Sequence, residues 1–329
     1  MRIALLNSGL GLLAAAACLH RLRPDADLVL SMDPDGMPWG ARTPDDIARR
    51  SLGCARAAAA FEPDVLVFAC NTGSVHALGA LREEFEPGIP VVGTVPAIKP
   101  AAAFSDMVAI WATVATTGSA YQRNLITEFA ASAQVAEVAC AGLADAIHAG
   151  DEAATRAAVS DAAARTPAGC RAIVLGCTEY ELAAGLISAA LPGVALFGSA
   201  TAVAAQALRR AGADGSGPVL GTGAVSSASA SSTSAGGAAG QGKTGPGTTG
   251  PGTAGPGTAG PGAAGPGATG QASIGQEFST SGGSAGTLQV LLSGRPASLP
   301  PAALRYPEGR LIAARPAGPP ARRSSPVRS

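Results

Sequence analysis

Two cysteines stand in matching surroundings. The stretches "VLVFACNTGS" (65–74) and "AIVLGCTEYE" (172–181) each run a short apolar segment into a thiol, Cys70 or Cys177, and follow it with small polar residues. The apolar segment reads as a buried strand and the polar residues as the start of a helix. A helix N-terminus favours an anion, and a thiol with an ordinary pKa of about 8.5 is a nucleophile and a usable base near neutral pH. Asn71, Thr72 and Thr178 add short polar groups and backbone N–H donors that can hold a carboxylate. Two thiols facing one small carboxylated ligand can remove a proton from one face of a carbon and deliver one to the other. That is cofactor-free racemisation or epimerisation. The remaining cysteines, Cys18, Cys54, Cys140 and Cys170, read as small core residues.

The thiols need elements to hold them. Apolar runs of strand length are "RIALL", "DLVLS", "DVLVFA", "IPVVG", "MVAIWAT", "AIVLG" and "VALFG". Ala-rich segments of helical length, at 10–22, 45–61, 72–85, 119–131, 178–190 and 200–211, lie between several of them. Strands that are apolar at every position suit a parallel sheet covered on both faces, and strand–helix alternation argues a doubly wound α/β fold. Active groups in such sheets gather at the C-terminal ends of strands. Cys70, Cys177 and the pair Asn7-Ser8 all fall there.

Composition excludes several classes. Formal net charge is zero, which argues against nucleic acid as a partner. No C-x-x-C pair occurs, so no structural zinc site is expected, and the six cysteines are expected to be reduced thiols in the cytoplasm. The opening "MRIALLNSGLGLLAAAAC" has the outline of an export signal, but Asn7, Ser8, Gly9 and Gly11 interrupt it and "RIALL" reads as a first buried strand. No stretch has the roughly 20 apolar residues needed to span a membrane. A Gly/Pro/Ala/Thr repeat, 214–283, lacks core-forming residues and is expected to be disordered. A last strand or helix is expected after 284, ahead of a loose basic Pro-rich tail reaching 329.

At these residues the sequence resembles the aspartate/glutamate racemase superfamily, most closely its glutamate racemase branch. "LLNSGLGLL" is similar to "F-D-S-G-x-G-G-L", and "MPWGARTPDDI" to "x-P-Y-G-x-[KR]-[ST]-x-x-x-I". "ACNTGS" matches "A-C-N-T-A-S", "LGCTEY" is similar to "L-G-C-T-H-Y", and "ATVATTGSAYQR" to a Thr-x-x-Thr-x-x-Ser block that includes Thr116. "FSTSGGSAGTLQVLL" is similar to a closing "F-x-T-[ST]-G-D-P" segment, which makes the Gly/Pro repeat an insertion.

The resemblance implies two pseudosymmetric α/β lobes, 1–95 (completed by 200–213) and 96–199, with the site in the cleft between them. It implies Cys70 and Cys177 as the catalytic thiols, no cofactor, no metal, and a small amino-acid substrate, glutamate first. The product would be the D-isomer for bacterial cell walls. Substrate-binding residues carried over are Asn7, Ser8, Pro38, Gly40, Asn71, Thr72, Thr116 and Thr178, with Trp39 where the family usually has Tyr. Asn7 replaces an acid beside the first thiol and cannot carry its proton, so turnover is expected to be slow and Asn7→Asp to raise it. Glu179 and His148 stand as a His/Glu pair with its members exchanged, able to share a proton beside Cys177. His148 can also be read as an exposed helix-end residue. Glu179 leaves aspartate, a hydantoin or a substituted malonate open as substrates. A binding relative without turnover and a surface module carried by the repeat are the further alternatives, and a homodimer stays open.

Overall fold

The computed structural model describes residues 1–212 and 285–320. The expected disorder of 214–283 and the extreme C-terminus lie outside the described residues. The strands are β1 (Arg2–Asn7), β2 (Asp27–Met32), β3 (Val65–Phe68), β4 (Val91–Val92), β5 (Met107–Ala112), β6 (Gln134–Ala139), β7 (Ala172–Leu175), β8 (Ala195–Phe197), β9 (Leu288–Leu292) and β10 (Arg295–Ala297). The helices are α1 (Leu12–Leu22), α2 (Pro44–Ala59), α3 (Asn71–Phe85), α4 (Ile98–Phe104), α5 (Ala120–Phe129), α6 (Leu143–Ala149), α7 (Glu152–Arg165), α8 (Ala184–Ala190), α9 (Ala200–Arg210) and α10 (Pro307–Ala313).

Two sheets result. One has the order β10-β9-β2-β1-β3-β4 and the other β6-β5-β7-β8. All pairings are parallel except the β9–β10 hairpin. The inner order β2-β1-β3-β4 repeats as β6-β5-β7-β8, which makes the lobes pseudosymmetric and β3 the counterpart of β7. In each lobe the chain steps from its first strand to one side, then returns to the other. The crevice at that reversal lies at the carboxyl ends of β1 and β3, and of β5 and β7. This is where α/β sheets bind ligands.

The strands are apolar throughout because both faces are covered. Ile3 and Leu5 of β1 face one core, shared with Ala109 and Trp111 of β5 and with Ile173 and Leu175 of β7. Ala4 and Leu6 face a second core under α2 and α3, while Val108, Ile110 and Val174 face a third. Among the strands before residue 212, only β6 had no counterpart among the apolar runs. It is an edge strand carrying Gln134 and Glu137, so its sequence does not read as buried.

Local signals start the helices. Thr43 caps α2 by accepting the Asp46 N–H, with Pro44 following it, and Ser119 and Asp151 cap α5 and α7 in the same way. The segment expected as one helix from 178 divides into a 3-10 turn, Thr178–Ala183, and then α8. Two helices cross over. α4 follows β4 but packs on β5, β7 and β8, while α9 follows β8 but packs on α1, β3 and β4.

The C-terminal segment differs from a loose tail. After β9 and β10 it forms a 3-10 turn, Pro301–Arg305, then α10 against α1. Arg315 is buried, and its guanidinium donates to the Ala26 carbonyl. Apolar residues Ala303 and Ile312 fill the core there, which outweighs the basic, Pro-rich composition. No helix among the described residues is long and apolar enough to cross a membrane.

Candidate active site

A cavity of about 280 Å³ opens between the strand ends of the two lobes. Cys70 and Cys177 both line it, one from each lobe, at the equivalent ends of β3 and β7. Each thiol occupies the cap position of the turn that follows it. The Cys70 sulfur accepts the Gly73 N–H at 3.4 Å, which Gly73 permits because a Cβ there would lie 2.2 Å from the Phe68 ring. Cys177 opens the 3-10 turn that holds Thr178 and Glu179.

The second thiol has a partner. Cys177 Sγ donates to Glu179 Oε2 at 3.0 Å, and Thr178 Oγ1 donates to the same oxygen at 3.4 Å. Glu179 Oε1 accepts the Gly11 N–H at 3.2 Å from the other lobe. Burial, and then the Glu179 carboxylate, push Cys177 well above the ordinary thiol range. Burial likewise pushes Cys70 up to about 12, again helped by Glu179, while the backbone N–H groups of Gly73, Ser8 and Thr72 work against the rise. The expected lowering of the thiols by helix N-termini is therefore outweighed by desolvation.

His148 also lines the cavity, from the last turn of α6. It is not the freely exposed helix-end residue that its position suggested. Its ring lies against Gly9, where a Cβ would come within 2.7 Å of Nδ1, and that nitrogen has no hydrogen-bond partner among the described residues. Burial holds it below the ordinary histidine value, opposed by Glu179 and Asp145.

Ser8, Pro38, Trp39, Gly40, Asn71, Thr72, Thr116 and Thr178 complete much of the wall. Asn71 Nδ2 donates across the lobes to the Gly176 carbonyl at 2.8 Å, leaving Oδ1 buried and without a partner among the described residues. Trp39 contributes shape rather than a donor. Its indole N–H is spent on Asp33 Oδ2 at 2.9 Å, and its ring meets Phe68 edge-on with centroids 5.8 Å apart.

Asn7 is the exception. It is fully buried and stands behind the wall rather than in it. Its amide donates to the Ala69 carbonyl at 2.5 Å and to Thr178 Oγ1 at 3.2 Å, and its oxygen accepts the Gly9 N–H at 3.2 Å. It clasps the strand end before Cys70 to the residue after Cys177.

Met37, Thr113, Cys140 and Asp145 line the cavity without having been singled out in the sequence. Thr113 and Cys140 follow β5 and β6 directly, so the strand-end rule that found Cys70 would have found them. Cys140 escaped because β6 did. Met37 and Asp145 come from a loop and a short helix and carry no sequence signal.

A sequence profile for Asp/Glu/hydantoin racemases matches residues 12–207, over half of the chain. The chain belongs to this family. A glutamate racemase from Pseudomonas putida is 37% identical over 221 residues, covering 64% of this chain and 82% of that one. Another from Herpetosiphon aurantiacus is 37% identical over 213 residues, covering 63% and 83%. Among solved structures, Escherichia coli glutamate racemase in complex with L-glutamate and the activator UDP-MurNAc-ala is similar with a TM-score of 0.61 and 29% identity, over 66% of this chain and 84% of that one. As a member of the Asp/Glu/hydantoin racemase family the chain is an isomerase of glutamate racemase type.

Proposed function

We propose that the chain inverts glutamate at Cα by proton transfer between Cys70 and Cys177, and so supplies D-glutamate for peptidoglycan. The observation that carries this reading is the pair of thiols at equivalent strand ends, facing one cavity from opposite lobes. The α-carboxylate would lie on the backbone N–H groups after Cys70 and Cys177, beside Asn71, Thr72 and Thr178. The α-ammonium brings a cation next to two thiols that desolvation has raised, which lowers both. Glu179 accepts the Cys177 proton. The resulting thiolate takes the Cα proton, the C–H electron pair stays on carbon, and the Cys70 thiol delivers its proton to the opposite face. The reverse reaction exchanges the two sulfurs. His148 shares the proton held by Glu179. Both transfer groups are side chains of the protein, so the reading calls for no cofactor.

A second reading has its own observation. Asp145 and Glu179 put two carboxylates on the wall, and no Lys or Arg among the described residues lines it, which favours an acid without a distal carboxylate at full reach, such as aspartate or a hydantoin. Incubation in D2O separates the cases. Deuterium entering Cα of L- and D-glutamate, with racemisation lost in Cys70→Ser and in Cys177→Ser, supports the glutamate reading. Exchange confined to aspartate or a hydantoin replaces the substrate. Binding without exchange of any of them overturns catalysis. Growth of a D-glutamate auxotroph carrying the gene tests the supply of cell-wall precursor.

A further inference from the structure

Helix α6 forms one wall of the cavity, through Ala144, Asp145 and His148. It has seven residues and is bounded by Gly142 and Gly150, both left-handed with φ of 70° and 68°. A helix this short has no stability of its own, so packing must fix where its side chains point. One side packs on the turn that carries Glu179 and on α7. The C-terminal end is held from far along the chain. The Tyr306 hydroxyl donates to the Ile147 carbonyl at 2.6 Å, and the Gly150 N–H donates to the same oxygen at 3.0 Å. Ile147 directly precedes His148. The turn before Tyr306 lies on the helix end, since a Cβ on Gly150 would meet Arg305 Cγ at 3.1 Å and Ala302 at 3.3 Å. The last carbonyls of a helix have no partner within it, and Tyr306 supplies one.

We propose that Tyr306 is a positioning residue of the active site: through the Ile147 carbonyl it fixes the end of α6 and holds His148 in the wall of the cavity that Cys177 and Glu179 also line. Tyr306 lies beyond the residues matched by the family profile, after the Gly/Pro repeat. The C-terminal segment therefore touches a wall helix of the cavity although none of its described residues lines it. The inference rests on the proposed role of His148 beside Cys177.

The test uses the full chain and Tyr306→Phe, which keeps the ring and removes the hydroxyl. The first readout is Cα exchange in D2O measured separately from each glutamate enantiomer. Cys177→Ser identifies the enantiomer whose proton that thiol removes. For that enantiomer Tyr306→Phe is expected to slow exchange about tenfold, below the 10²–10⁴ of losing a general acid or base because the group is displaced and not removed. Exchange from the other enantiomer is expected to stay within about twofold, since His148 does not serve its proton. In a His148→Ala background the substitution should add nothing. Equal slowing of both enantiomers, or a full effect without His148, would mean a structural role only and overturns the proposal. The second readout does not need activity. The chain has three histidines, of which His148 is the one followed. With its end freed, the His148 ring gains water beside Glu179 and Asp145, and its NMR titration should move up toward the ordinary value. An unchanged His148 titration overturns the proposal even if the wild-type protein exchanges no glutamate, an outcome that by itself refutes only the substrate reading.

Discussion

The Cys177 thiol donates to one oxygen of Glu179 at 3.0 Å, and the other oxygen accepts the Gly11 N–H from the opposite lobe at 3.2 Å. One carboxylate thus touches a candidate catalytic sulfur and spans the cleft. Glu179→Gln keeps the shape and a hydrogen bond but cannot take a proton. It is expected to cut the half-reaction that uses Cys177 by about 10²–10⁴, with little change in KM. Exchange rates from the two enantiomers check this, and equal losses on both would show that Glu179 only holds the lobes together.

Burial places both thiols above their ordinary range, Cys70 at about 12. The thiolate fraction rises with pH until the pKa is passed. Iodoacetamide should therefore label both cysteines slowly near neutral pH, and faster by about tenfold for each pH unit on the alkaline side. Mass spectrometry of the free protein reads each site. A labelling midpoint at or below the ordinary thiol value would show that the backbone N–H groups outweigh desolvation after all.

Asn7→Asp reads differently in the fold than in the sequence. The amide uses both ends, donating to Ala69 and Thr178 and accepting from Gly9. An ionised Asp would turn an oxygen toward the Ala69 carbonyl in a fully buried place. The expected outcome is a loss of about 1–3 kcal/mol in stability and no gain in turnover. Thermal melts and steady-state rates check it. A tenfold gain would restore the role of proton carrier that the sequence pattern suggested.

Gly11→Ala and Gly53→Ala form a matched pair. At Gly11 a Cβ would lie 2.2 Å from Thr178 Oγ1, 2.6 Å from Asn7 Nδ2 and 2.9 Å from Glu179 Cδ. Pushing these apart should cost about 1–3 kcal/mol and most of the activity. Gly53, inside α2, meets nothing within 4 Å, so alanine there should stabilise by about 0.4–1 kcal/mol with activity intact. Unfolding midpoints and rates of the two variants decide the matter.

Much of the fold was legible because the relevant signals are local. Apolar runs such as "DVLVFA" need cover on both faces, and residues at their carboxyl ends fall in the sheet's binding crevice whatever else surrounds them. Cys70, Cys177, Ser8 and Thr178 follow from that alone. The capped start of α2 is equally local, written in Thr43, Pro44 and the acids after them. What lay hidden depends on contacts across the chain. Glu179 and Glu181 are two residues apart and alike in chemistry. The turn they share sends Glu179 to the cavity and Glu181 to the start of α9, where it accepts the N–H groups of Ser199 and Ala200 at 2.8 and 3.1 Å. The family resemblance picked out Glu179, but the residue types in "CTEYE" do not choose between them by themselves, because the choice is made by which lobe packs on which side of the turn. The thiol pKa values follow the same rule. Sequence places a helix start beside each sulfur, but only the closed fold determines how much water is removed, and here removal of water outweighs the dipole. Asn7 and Tyr306 complete the pattern, since each acts through a partner more than a hundred residues away. Such pairings cannot be read from spacing, because the chain between them is free to be any length the packing allows.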